Sequence, residues 1–141
     1  MNRQDAKDAK ETARIEPCER LDWLAYAVIG AALEVHRRLG PGYLESVYEE
    51  AMSVELNLRG IPFERQKPVV VFYKGYEIGE RRLDFLIDND LVVELKAVDS
   101  LVPVHKAQVI SYLKTTRCRL GVLINFNVPL IRDGVWRVVL S

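Results

Sequence analysis

Arg82-Leu83-Asp84-Phe85-Leu86-Ile87-Asp88-Asn89-Asp90-Leu91-Val92-Val93-Glu94-Leu95-Lys96 is the stretch whose reading decides the fold. Two β-rich runs flank a cluster of turn formers, which predicts strands over roughly 76–87 and 91–98 joined as a hairpin. A three-residue loop closed by Ile87 and Leu91 sets Asp84 directly opposite Glu94, and Arg82 opposite Lys96. Glu94 and Lys96 are two apart and share a face of what should be an apolar core strand. At such a pair the Cβ atoms lie ~5 Å apart, and facing like charges are destabilising. The register therefore predicts either a bound cation or a raised pKa on one carboxyl group. Oxygen ligands alone favour Mg²⁺ or Mn²⁺ over zinc. A slip of one residue would part the two acids onto opposite faces.

Working outward, a third β-rich run over 66–73 precedes Lys74-Gly75, so the three runs form a meander. Upstream, Leu21, Leu24, Ala25, Val28, Ile29, Ala32, Leu33 and Val35 recur at helical spacing until Gly40-Pro41. A second helix opens near Gly42, carries Leu44, Val47, Tyr48, Ala51, Val54 and Leu58 on its apolar side, and stops at Gly60. Downstream, Pro103 suits the first turn of a helix running to about Thr116. Strands follow at Leu120 to Phe126 and Val135 to Leu140, with a loop from Asn127 to Gly134 between them. The order reads ααβββαββ, an α/β (α+β mixed) fold with a central mixed sheet flanked by helices. Residues 1–18 are polar and expected as a flexible tail, leaving 19–141 as one domain.

With 141 residues the chain has room for one core. Its longest apolar runs are far short of the ~20 residues that span a bilayer, and its first residues lack an apolar targeting segment. No membrane association and a cytoplasmic location are the expectation. Cys18 and Cys118 have no metal-spaced partners and are expected to be inert. Formal net charge is zero, which argues against a nonspecific nucleic-acid coat. Yet no acid occurs between Asp99 and Asp133, where Lys106, Lys114, Arg117, Arg119 and Arg132 fall. That stretch either presents a basic face to phosphates or is simply a solvated helix and loop.

Glu45, near the start of the second helix, shares a flank with Tyr48, Met52 and Leu56 and borders the face that must pack on the sheet. A favourable charge at a helix N-terminus accounts for it without chemistry. Gln108 and Tyr112, four apart, share a helix face and suit either boundary packing or hydrogen bonds to water or phosphate. His36 and His105 read as surface residues, and Trp23 and Trp136 as core or interface residues. For Phe72, Tyr73 and Tyr76, core and rim packing is the first reading and base stacking the second.

Gly42-x-x-Glu45-x-x-Tyr48, Arg82-Leu83-Asp84-Phe85, Glu94-Leu95-Lys96 and Gln108-x-x-x-Tyr112 together resemble the small proteins named for a GxxExxY signature, within the PD-(D/E)XK nuclease superfamily. The resemblance covers residues 20–141, with Leu83 where the superfamily name has proline. It implies a restriction-endonuclease-like core in which Asp84 and Glu94, helped by the Leu95 carbonyl, hold Mg²⁺ or Mn²⁺. Glu45 matches the helix acid that completes or supports that shell, and Lys96 matches the lysine that orients or activates the attacking water. Tyr48, Arg82, Gln108 and Tyr112 are the implied lining of the site.

The implied function is metal-dependent hydrolysis of phosphodiester bonds in nucleic acid, with DNA the expected substrate. Lys106, Lys114, Arg117 and Arg119 are then the expected backbone contacts. The alternative is a non-enzymatic interaction module that keeps the fold and binds nucleic acid or a protein, because fold does not establish turnover. A neutral chain of this size has little surface for gripping a duplex, so a homo-oligomer or protein partner is a further expectation.

Overall fold

The computed structural model describes residues 19–140. The expected tail over 1–18, with Cys18, lies outside the described residues. The elements are α1 (Glu19–Leu39), α2 (Glu45–Leu58), β1 (Phe63–Tyr73), β2 (Tyr76–Ile87), β3 (Leu91–Lys96), α3 (Pro103–Thr116), β4 (Leu120–Asn125), a 3-10 turn (Ile131–Gly134) and β5 (Val135–Val139). They follow the ααβββαββ order, with the extra turn inside the expected 127–134 loop. Among the described residues five strands lie in the order β1-β2-β3-β4-β5, with β3 and β4 parallel and the other neighbours antiparallel. A parallel neighbour cannot be reached by a tight turn, and α3 is the crossover that reaches it.

Helices cover both faces of the sheet. On one face α1 (Leu24, Ala25, Val28) and α2 (Tyr48, Met52, Leu56) pack against Phe85, Leu91, Val93 and Val122. On the other, Val109, Tyr112 and Leu113 of α3 cover Leu86, Val92 and Leu123. Strand β4 is therefore buried throughout, which matches its apolar sequence up to the buried Asn125 at its end. A Cβ on Gly121 would lie 2.6 Å from Val109 Cγ1. The missing side chain lets α3 settle close to β4 and sets the height of Gln108, one residue before Val109.

Several expected faces are corrected. In α2 the buried row is Tyr48, Met52 and Leu56, whereas Leu44, Val47, Val54 and Leu58 are exposed. The rotation is fixed by Tyr48, whose ring stacks on Phe126 at 4.5 Å and whose hydroxyl donates to the Gly40 carbonyl at 2.6 Å. In α1, Leu33 is exposed and Ala31 is buried in its place. His36 is buried, with Nε2 2.8 Å from the Val128 carbonyl. Trp23 is exposed, while Trp136 packs partly buried beside the α3-side core. Phe72, Tyr73 and Tyr76 are 63%, 60% and 76% exposed rather than packed. They sit at the end of the β1–β2 hairpin, which runs on past the last β2–β3 pair, Phe85 with Val93.

Candidate active site

The hairpin has the expected register: Ile87 pairs with Leu91, Leu86 with Val92 and Phe85 with Val93. Its turn places Asp88 and Asn89 in the left-handed region (φ 48° and 64°), which Asp and Asn tolerate better than most residues. Arg20, at the start of α1, bridges Asp88 and Asp90 and ties the helix to this turn.

Beyond Phe85 and Val93 the strands part, and side chains take over the backbone bonds. The Asp84 N–H donates to Glu94 Oε2 at 2.7 Å, and the Leu95 N–H donates to Asp84 Oδ2 at 2.8 Å. The two acids meet where the ladder opens. Lys96, on the same side of β3 as Glu94, donates from Nζ to Gln108 Oε1 at 3.1 Å. Gln108 Nε2 in turn lies 3.5 Å from the Tyr112 hydroxyl. Asp84 and Glu94 form one hydrogen-bonded pair, and Lys96, Gln108 and Tyr112 a second chain beside it on the α3 side of β3.

The other wall of the opening is Gln66, a left-handed residue (φ 54°) between the pairs Arg65 with Phe85 and Lys67 with Leu83. Both strands change face there. Phe63 and Phe85 pack with the α1–α2 core, whereas Val69 and Leu83 pack with the α3 core. Strict alternation would keep each of these same-strand pairs on one face. Arg82 accordingly does not oppose Lys96. It pairs with Pro68 and donates to the Gln66 carbonyl at 3.2 Å. Arg81 takes the α3 side instead, its guanidinium 5.3 Å from the Tyr112 ring centroid.

Two further neighbours were missed from sequence. Gln66 Nε2 lies 3.4 Å from Asp84 Oδ1 and 3.0 Å from Glu49 Oε1, and Arg65 holds Glu49 in an ion pair at 2.7 Å. The available signal for Glu49 was its position four residues after Glu45, one turn along the same flank. Nothing local marked Gln66. The Tyr48 hydroxyl donates to the Gly40 carbonyl and accepts the Tyr43 amide, and among the described residues it forms no hydrogen bond with Asp84 or Glu94. Lys106, Lys114, Arg117 and Arg119 are all exposed, on α3 and just after it. His105 is a capping residue, its Nδ1 accepting the Val102 amide at 3.0 Å.

Burial dominates the electrostatics. Desolvation first, and then the Asp84 charge, push the Glu94 carboxyl up to about 8. Desolvation also raises Asp84, opposed by the Leu95 amide that it accepts. Glu45 is exposed on its outer side, yet desolvation of its carboxyl and the Asp84 charge raise it too. Tyr112 is raised by desolvation and then by Glu94, which keeps it a phenol and a donor. Ionising these acids together would put an excess of negative charge in a partly closed space, which is why they hold their protons more tightly than usual.

A hard cation fits that excess. Glu94 is 4% exposed, and among the described residues its Oε1 accepts no hydrogen bond. Among the described residues Asp84 Oδ1 has only the long Gln66 contact. Among the described residues no three His, Cys, Asp or Glu side chains form a ready-made cage. Protein ligation by the two carboxylates would therefore have to be completed by backbone oxygen and water, which suits Mg²⁺-like ions.

A mixed sheet with acids at its opening hairpin and a crossover helix behind it is the frame of a nuclease fold. The family model of the PD-(D/E)XK nuclease superfamily matches residues 22–138, and the chain belongs to that superfamily. Nucleases of this superfamily generally use divalent metals. Among solved structures, the crystal structure of SSO0001 is similar with a TM-score of 0.55 at 20% identity, a likeness of fold. The match covers 86% of this chain and 58% of that one, so the chain spans little more than half of that protein's length. No curated protein matches the chain. Among the described residues no helix is long and apolar enough to cross a membrane.

Proposed function

We propose that this protein is a Mg²⁺- or Mn²⁺-dependent nuclease of the GxxExxY type that hydrolyses phosphodiester bonds, with DNA as substrate. The observation that carries the reading is the meeting of Asp84 and Glu94 at the parting of β2 and β3, with Lys96 on the same side. Asp84 and Glu94, with the Leu95 carbonyl, would hold the cation, and Glu45 would add negative charge at the edge of the shell. When bound, the cation neutralises charge on nonbridging oxygens and lowers the pKa of a water nucleophile.

The chain's own residues do the rest. Lys96, steered by Gln108, orients the attacking water and offsets charge on the pentacovalent phosphorus. Tyr112, as a phenol, donates to phosphate or water beside it. Lys106, Lys114, Arg117 and Arg119 are proposed to steer the strand through its phosphates, an attraction that salt weakens.

The test is incubation with single-stranded, duplex and branched DNA and with RNA, in Mg²⁺, in Mn²⁺ and in EDTA. Metal-dependent fragments from DNA are expected. An absence of fragments from every substrate would replace the enzyme with an interaction module. In that second reading the acids serve only as the hydrogen-bonded brace of the hairpin, a role for which the Asp84–Glu94 and Leu95–Asp84 bonds are the specific support.

A further inference from the structure

Beside the acid pair lies an open groove of about 470 Å³, lined by Arg81, Lys96, Val104, His105, Ala107 and Gln108. Among the described residues no carboxylate lines it. Among the described residues neither Arg81 nor Lys96 forms an ion pair, although Arg20, Arg37, Arg59, Arg65 and Arg137 each hold a carboxylate. Arg81 rests against the Tyr112 face, a contact that positions a guanidinium without neutralising it. His105 accepts the Val102 amide at Nδ1, so the proton of its neutral ring sits on Nε2 and makes that atom a donor. Gln108 accepts from Lys96 through Oε1, and its Nε2, which lies 3.5 Å from the Tyr112 hydroxyl, has a second N–H as a further donor. The wall is thus rich in donors and cations and, among the described residues, has no competing acid.

That chemistry matches a phosphate group, whose paired oxygens suit a guanidinium fork. Lys96 lines this wall and lies on the same side of β3 as Glu94, two residues on, so the groove adjoins the proposed hydrolytic site. We infer that the groove seats a phosphate of the nucleic-acid strand adjacent to the one being cleaved, with Arg81 as its principal ligand and His105 as the second. The inference rests on the nuclease reading for what happens next door, while the binding itself requires no turnover. An internal phosphodiester and a terminal phosphate offer the same oxygens.

Fluorescence anisotropy on a short single-stranded DNA in EDTA, across a salt series, tests this for wild type, Arg81→Gln and Arg81→Lys. The DNA is supplied with either a 5′-phosphate or a 5′-hydroxyl, and melting curves confirm that each variant is folded. Arg81→Gln is expected to raise Kd about tenfold and to lower the slope of log K against log salt by about 0.7. Arg81→Lys should keep the slope and lose part of the affinity, because charge survives and the fork does not. Equal losses on both DNAs identify an internal phosphodiester, and losses confined to the phosphorylated strand identify a terminal one. Unchanged affinity and slope in folded Arg81→Gln, or no binding by wild type at low salt, overturn the inference. A cleavage assay with Asp84→Asn separates the two claims. If wild type does not cut but Arg81→Gln still weakens binding, the hydrolytic reading falls and the groove stands. If wild type cuts, Asp84→Asn does not, and Arg81→Gln binds as wild type, the groove falls alone.

Discussion

The Asp84 amide donates to the Glu94 carboxylate at 2.7 Å while the Asp84 carboxylate accepts the Leu95 amide at 2.8 Å. This reciprocal lock replaces the backbone ladder at the point where β2 leaves β3. The acids are therefore a brace for the hairpin, and each keeps a second oxygen for other work. Removing either side chain outright would strand a backbone amide, so the informative variants are those that keep an acceptor.

Glu94 makes the metal-free fold sensitive to pH. Its carboxyl is held at about 8 against 4.5 for an ordinary glutamate. Between those values the fold keeps a proton that the unfolded chain has released. Stability from this group is fully present below pH 4.5 and is lost as pH rises through about 8. The raised Asp84 and Glu45 act with the same sign. Melting temperature in EDTA should fall across that window, and Glu94→Gln, which can still accept the Asp84 amide, should flatten the fall. A wild-type melting temperature that is level across the window would contradict the assignment.

Metal should reverse this trend. Mn²⁺ requires the ionised carboxylates, so its affinity should climb as pH approaches 8. At a concentration about 100 times Kd it should add roughly 2.7 kcal/mol of stability. Asp84→Asn can keep the Leu95 bond but removes one anionic ligand. It should melt at or above wild type without metal and gain almost nothing from Mn²⁺. Calorimetric melts of both proteins with and without Mn²⁺ measure the difference, and an equal gain in the variant would remove Asp84 from the metal shell.

Tyr48 is expected to serve the loop between α1 and α2 rather than the chemistry, since both its hydroxyl bonds go there. Tyr48→Phe leaves the Gly40 carbonyl and the Tyr43 amide without their partner and should cost about 1–2 kcal/mol. Chemical denaturation gives the loss. Cleavage measured well below the melting temperature should stay near wild type, whereas a collapse of activity at unchanged stability would return Tyr48 to the site.

What was legible in the sequence is instructive at Asp84. Loop length alone fixed the register that brings Asp84 to Glu94, because a short hairpin leaves few pairings open. The identity of the nearby arginine was not legible. Arg82 follows from strict alternation, yet the left-handed Gln66 turns both strands over and brings Arg81 to Tyr112. Nothing in the residue type announces that conformation. The face of α2 was ambiguous for another reason. Two apolar stripes compete there, and the decision rests on a hydroxyl bond from Tyr48 to Gly40 that periodicity does not contain. His36 was misplaced likewise, since its partner Val128 is 92 residues away.

Lys96 offers the most direct test of the central claim that the acid pair and its lysine hydrolyse phosphodiesters with a divalent metal. Its ammonium is bonded to Gln108, and among the described residues no carboxylate forms an ion pair with it. Lys96→Ala should therefore leave the Mn²⁺-dependent rise in melting temperature largely intact. The decisive measurement is the single-turnover rate of DNA cleavage in Mn²⁺ for wild type and Lys96→Ala, on protein whose metal-dependent stabilisation has been verified in the same buffer. Metal-dependent hydrolysis at this site requires cleavage by wild type and a rate about 10²–10³-fold lower for the variant. Equal rates, or a wild type that binds Mn²⁺ and cuts nothing, would contradict it.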